Sequence, residues 1–251
     1  MEKEIVHIHQ VVTRLPELRF AEPVEWRICE GEQWAVVGPN GAGKTLLADI
    51  LQRKFAFREG EVCYNKEGKV SDIIRSIAFK DIYSLADCRN SYYQQRWHAT
   101  ESDDVPTVAE TLSAYEGTEN QKEVLHIFGI EDLLPKKLIY LSSGELRKFL
   151  IVRTLLSRPE ILILDNPFIG LDAPSRDLLV DMLGQLSHLH GVQVILLLSN
   201  PADIPDMITH VLPIAGKKCY PQMSREAFLA DTALIQVLFP EENWVQTALP
   251  V

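Results

Sequence analysis

The sequence is short of the features that mark secreted, membrane-spanning or nucleic-acid-coating proteins. Its 251 residues include four cysteines, Cys29, Cys63, Cys88 and Cys219, with no C-x-x-C spacing. That scatter excludes a cysteine zinc ribbon and a disulfide framework, and it predicts reduced thiols in a cytoplasmic protein. No apolar run approaches the roughly 18 residues needed to cross a bilayer, and the opening MEKEIVHIHQ is charged rather than signal-like. Lys and Arg number 25 against 35 Asp and Glu, a net charge of −10, so no broad basic surface exists to grip nucleic acid, and none is expected as a partner. Repeats and low-complexity tracts are absent. His7, His9, His98, His126, His188, His190 and His210 show no spacing with acids or cysteines that indicates a metal cluster. The H-x-H pairs at 7–9 and 188–190 read as surface or strand alternation.

What the chain does have is apolar patterning, at 46% hydrophobic residues, enough to bury a large core. Apolar residues at strand-like spacing occur over 5–12, 24–28 and 33–37. TLLADILQRKF at 45–55 then turns to helical spacing, so a strand, a glycine-rich loop and a helix follow in order. The polar, aromatic stretch 80–106 reads as a long connection. Thr107 with Glu110, and Ser142 with Glu145, form capping-box patterns that open helices, with a further helix expected near 119–128. The strand ILILD at 161–165, a helix over roughly 175–188 and VQVILLL at 192–198 alternate as a helix-covered parallel sheet does.

The sharpest local signal is GPNGAGKT at 38–45, which fits G-x-x-x-x-G-K-[ST] between strand and helix. The loop Gly38, Pro39, Asn40, Gly41, Ala42, Gly43, Lys44, Thr45 and Leu46 is therefore expected to bind phosphate. The glycines allow backbone N–H groups to point inward, Lys44 reaches the β- and γ-phosphates, and Thr45 offers a hydroxyl to Mg²⁺. Such a loop alone leaves kinases, GTPases and many ATPases open.

The remaining motifs narrow that choice. LSSGE at 141–145 resembles the LSGGQ signature of the ATP-binding cassette (ABC) ATPase family, with variant Ser143 and Glu145. ILILD, ending in Asp165, is similar to its Walker B strand, and GLD at 170–172 to its D-loop, with Asp172. LSSGE and the FIGLD run resemble the members grouped with molybdate and other importers. The resemblance implies an α/β fold: a P-loop NTPase (RecA-like) core, an antiparallel β edge and a helical signature subdomain. Residues 1–80 and 157–215 would form the edge and core, 81–156 the connecting loop and helical subdomain, and 216–251 a C-terminal extension of one nucleotide-binding domain.

It further implies ATP and Mg²⁺ as ligands, with Thr45 and Asp165 on the metal. The dimer would be head to tail, a homodimer or a heterodimer with another ABC subunit, in which Ser142, Ser143, Gly144 and Glu145 face the partner's ATP. An integral membrane transporter subunit is the further partner, placing the chain in the cytoplasm or peripherally at the inner face of the membrane. The competing reading is a soluble ATP-dependent switch or the degenerate half of a pair.

Three departures from the family pattern motivate that competitor. Asn166 follows Asp165 where the family usually has a glutamate that polarises water, and an amide orients water without taking its proton. Asn200 occupies the place of the family's switch histidine. Both asparagines precede proline, so strand termination is their structural explanation. The family's Q-loop glutamine is replaced by Asp81 and Ile82, with Gln94 and Gln95 as later substitutes beside Tyr92, Tyr93 and Trp97. Phe20 is a candidate to stack on adenine, with core packing as the alternative.

Overall fold

The computed structural model describes residues 3–79, 105–115 and 121–240. In chain order the first part runs β1 (Glu4–Thr13), β2 (Val24–Cys29), β3 (Trp34–Val37), α1 (Lys44–Leu51), β4 (Phe57–Tyr64), α2 (Val70–Ile73) and β5 (Ile74–Ala78). Among the described residues, three α-helices follow, α3 (Val108–Leu112), α4 (Gln121–Phe128) and α5 (Ser143–Leu155). The chain then returns through β6 (Ile161–Asp165), α6 (Ala173–His190), β7 (Gln193–Leu198), β8 (His210–Ala215), β9 (Lys218–Cys219), β10 (Met223–Ser224), α7 (Arg225–Ala230) and α8 (Thr232–Leu238).

Two sheets result. β2, β1 and β4 form an antiparallel sheet, and the larger sheet has the order β10-β8-β3-β7-β6-β5 with β9 beside β8. Its central pairs β8–β3, β3–β7, β7–β6 and β6–β5 are parallel. Alternation along these strands serves both faces. Trp34, Val36, Ile161 and Ile163 pack toward the antiparallel sheet and α1, whereas Ala35, Val37, Leu162 and Leu164 pack toward α5 and α6. A parallel sheet buried on both faces needs such apolar runs. This is the α/β P-loop architecture with an antiparallel edge and helices that the motif order implied.

Both capping boxes form. Thr107 accepts from Glu110 N and Ser142 from Glu145 N, with each glutamate returning to the cap's backbone N–H. Leu146, Phe149, Leu150 and Leu155 of α5 are buried, as their spacing predicts. The H-x-H pair at 188–190 belongs to the end of helix α6, not to a strand. Residues 216–240, read from sequence as an extension of unknown role, pack onto the core through Phe228 and Leu238, both essentially inaccessible. Asp81, Ile82, Tyr92, Tyr93, Gln94, Gln95 and Trp97, with Cys88 and His98, lie outside the described residues.

Candidate nucleotide site

Parallel pairing fixes where the chemistry gathers. Val37 at the end of β3 pairs with Leu198 of β7, and Asp165 at the end of β6 pairs with Leu197. The phosphate loop and Asp165 therefore leave the same carboxyl edge two strands apart, about 10 Å at sheet spacing. Helix α1 spans that gap, and Thr45 Oγ1 donates to Asp165 Oδ2 at 2.7 Å. A cavity of about 640 Å³ opens there, lined by Asn40, Gly41, Gly43, Lys44, Thr45 and Leu46 on one side. Asp165, Asn166, Phe168, Ile169, Leu198, Ser199 and Asp203 line the other.

The loop is built to leave donors unused. Gly41 and Gly43 have φ of +79° and +109°, conformations that strain any other residue. No side chain caps α1 at Gly43, so the N–H groups of its first turn face the cavity without an intrahelical acceptor. Lys44 is 5% exposed; its Nζ donates to the carbonyls of Gly38 at 2.6 Å and Pro39 at 3.0 Å. Burial lowers its pKa and the Asp165 charge opposes that shift. A desolvated ammonium, open helical N–H groups and a hydroxyl–carboxylate pair suit a polyphosphate with a hard cation. Gly38 serves packing instead, because an added Cβ would overlap the Ile214 carbonyl oxygen.

Asn166 has a geometry that its sequence position did not disclose. Its φ is +52°, a left-handed conformation that asparagine tolerates better than most residues. Its Nδ2 donates to Asp165 Oδ1 at 2.8 Å, and its Oδ1 accepts from Ser199 Oγ at 3.0 Å. Ser199 Oγ also lies 2.9 Å from Asn40 Oδ1, so one hydroxyl links the phosphate loop to the end of β6. Sequence reasoning passed over Ser199; its signal was a hydroxyl at the end of a fully apolar strand.

Asn200 is placed differently from its expectation. Its side chain accepts from Ala202 N at 3.0 Å as a local cap, and it is not among the residues that line the cavity. The strand-termination explanation accounts for that geometry, and Ser199 holds the cavity-facing position. Phe20 is half-buried against the core beneath Gly43, where an added Cβ would come 3.3 Å from its ring.

The helical part is tied to this site by Arg147, also missed in the sequence. Its guanidinium donates to the carbonyls of Pro167 and Ile169 and lies 4.8 Å from the Phe79 ring centroid. Burial lowers its pKa. Ser142 and Glu145 close the capping box at the start of α5, with Lys136 Nζ 2.8 Å from Glu145 Oε1. An added Cβ at Gly144 would meet nothing within 4 Å, and Ser143 opens the helix. Asp172 caps α6 by accepting from Ser175 N at 3.2 Å.

The cleft and its phosphate loop define a nucleotide-binding domain of the P-loop class. The chain belongs to the ABC transporter family, whose model matches residues 21–169, and through that membership it is an ATP-binding domain. An uncharacterized ABC transporter ATP-binding protein of Schizosaccharomyces pombe is 31% identical over 219 residues, covering 84% of this chain and 45% of that protein. ABC transporter ATP-binding protein ModF of Escherichia coli is 29% identical over 246 residues, covering 94% and 48%. The chain thus spans about half the length of these two relatives. CbiO1 of Clostridium perfringens, part of the ABC transporter complex cbiONQ, superposes with a TM-score of 0.74 at 18% identity, covering 96% of both chains, a likeness of fold.

Proposed function

We propose that this chain is the ATP-binding subunit of an ABC system, binding ATP·Mg²⁺ between two copies of the domain and turning it over slowly. Lys44 and the open N–H groups of α1 hold the β- and γ-phosphates, and Thr45 and Asp165 hold the cation. Bound Mg²⁺ would screen the charge shared by those phosphates. Ser142, Ser143, Gly144 and Glu145 of one subunit meet the γ-phosphate on the other, and Asp172 lies near the same junction. The two subunits are identical or homologous, and an integral membrane subunit receives the movement, which places this chain at the inner face of the membrane. A relative named as the zinc import ATP-binding protein ZnuC of Wigglesworthia glossinidia brevipalpis, 25% identical over 193 residues, supports the transport setting. Among the described residues no helix is long and apolar enough to cross a membrane.

The observation that carries this reading is the cavity joining the phosphate loop to Asp165, with Thr45 and Asp165 in contact. Slow turnover follows from Asn166, whose amide is engaged on both sides and has no basic lone pair to take a proton from water. The test is steady-state phosphate release from ATP·Mg²⁺, with Lys44→Ala as the blank and ATP binding measured in parallel. Release above the blank supports a motor; release equal to it with ATP bound supports the second reading, a soluble switch or the degenerate half of a pair. Loss of ATP binding by the wild type would overturn both. Copurification with an integral membrane protein separates the motor from the soluble switch.

A further inference from the structure

Away from the nucleotide cleft, the antiparallel sheet assembles ligand-type side chains that ATP binding does not use. His7 and His9 are two apart on β1, so the pleat sets both rings on the face opposite buried Val6 and Ile8. Antiparallel pairing places Trp26 opposite Ile8 and brings Glu25 of β2 against both rings. Its Oε1 lies 2.6 Å from His7 Nε2 and its Oε2 3.3 Å from His9 Nδ1. One ligand atom from each of the three lies within 4.8 Å of the others. We propose that His7, His9 and Glu25 form a binding site for a divalent transition-metal ion of the zinc type, held on the outer face of the antiparallel sheet.

Distances and supporting contacts favour this use. Zinc–ligand bonds of about 2.0–2.2 Å put tetrahedral ligand atoms roughly 3.3–3.5 Å apart, so side-chain rotation alone closes the cluster on an ion. The carboxylate is already steadied. The register shifts between Ile8 and Val11, Gln10 takes a φ of +48°, and its backbone N–H and Nε2 donate to Glu25 Oε2 at 3.1 and 3.0 Å. Bulges that aim a side chain and outer contacts that orient a ligand are the usual surroundings of a built site. His7 Nδ1 faces Glu4 Oε1 at 3.9 Å, a placement that leaves Nε2 as the ligand atom. Two imidazoles and one carboxylate select zinc-like ions over Mg²⁺, so this site does not compete with the nucleotide site for its cation. One group opposes binding: Arg27 Nε lies 3.4 Å from His7 Nε2 and must swing into solvent. On the other flank, β4 sets Cys63 opposite His7 and Glu61 opposite His9.

The test is calorimetric titration of the full chain with zinc chloride at neutral pH in excess Mg²⁺ without nucleotide, repeated for His9→Ala, Glu25→Gln and Arg27→Gln. His9 is exposed, and unchanged ATP binding and melting in chelator establish that its replacement leaves the fold intact. The expected result is about one equivalent bound by the wild type. Affinity should fall at least about tenfold in His9→Ala and Glu25→Gln and rise in Arg27→Gln, and zinc should raise the melting temperature of the wild type but not of His9→Ala. No zinc binding by the wild type, or equal binding by wild type and His9→Ala, would overturn the site.

Discussion

Replacing Asn166 by glutamate changes one group at the end of β6 and measures what the amide withholds. A positioned general base contributes typically about 10²–10⁴-fold, equivalent to roughly 2.7–5.4 kcal/mol of barrier. The variant works against two local features. Residue 166 sits at φ +52°, where a non-glycine residue costs about 1–2 kcal/mol and asparagine is the better tolerated occupant. The Nδ2 hydrogen bond to Asp165 is lost, worth about 1 kcal/mol, and two carboxylates become neighbours. A net destabilisation near 2 kcal/mol lowers the melting temperature by roughly 4–8 °C, which leaves the protein folded at assay temperature. The assay is phosphate release at saturating ATP·Mg²⁺, with bound nucleotide measured separately and Lys44→Ala as the blank. A rise of at least about tenfold over wild type is expected, the lower end of the general-base range after discounting for strain. A variant that binds ATP, stays folded and releases phosphate no faster than wild type would refute the assignment of slow turnover to the amide.

Other consequences are independent of catalysis. Gly38→Ala drives a methyl group into the Ile214 carbonyl, so it should prevent stable folding, read as loss of the cooperative melting transition, whereas Gly144→Ala, in open space, should leave that transition intact. Phe228→Ala should cost about 3–5 kcal/mol in a denaturant melt, because this ring of the C-terminal segment is fully buried; a change under 1 kcal/mol, the order of a surface substitution, would show that residues 225–230 do not belong to the folding unit. Glu145 has its pKa lowered by Lys136 and by the Ser142 backbone hydrogen bond. A depressed folded pKa means its contribution is complete above the ordinary carboxylate value and is lost as pH falls through the folded one. The melting temperature of the wild type should therefore approach that of Glu145→Gln on acidification below about pH 4, with a small amplitude because the pair is open to solvent; a gap that widens on acidification would contradict this.

Features carried by short stretches of sequence were legible without the fold. The phosphate loop needs only consecutive residues to set its backbone, so GPNGAGKT specified both the loop and the helix behind it. The capping boxes at Thr107 and Ser142 close over three residues, and the runs in β3, β6 and β7 declare a doubly covered parallel sheet because both faces must be apolar. The motif order likewise named the family. What depended on strands meeting from distant parts of the chain was not legible. Asn166 looked like a missing glutamate, and only the fold revealed the left-handed backbone and the hydroxyl of Ser199 that holds its amide. Asn200 turned out to cap its own turn. Burial of Phe228 and Leu238 required β8 and the helical layer to be in place. The His7–His9–Glu25 cluster exists because β1 and β2 pair in one register with a bulge at Gln10: periodicity alone could place two imidazoles on one face of a strand, but only the pairing, a tertiary choice, could bring the carboxylate to them.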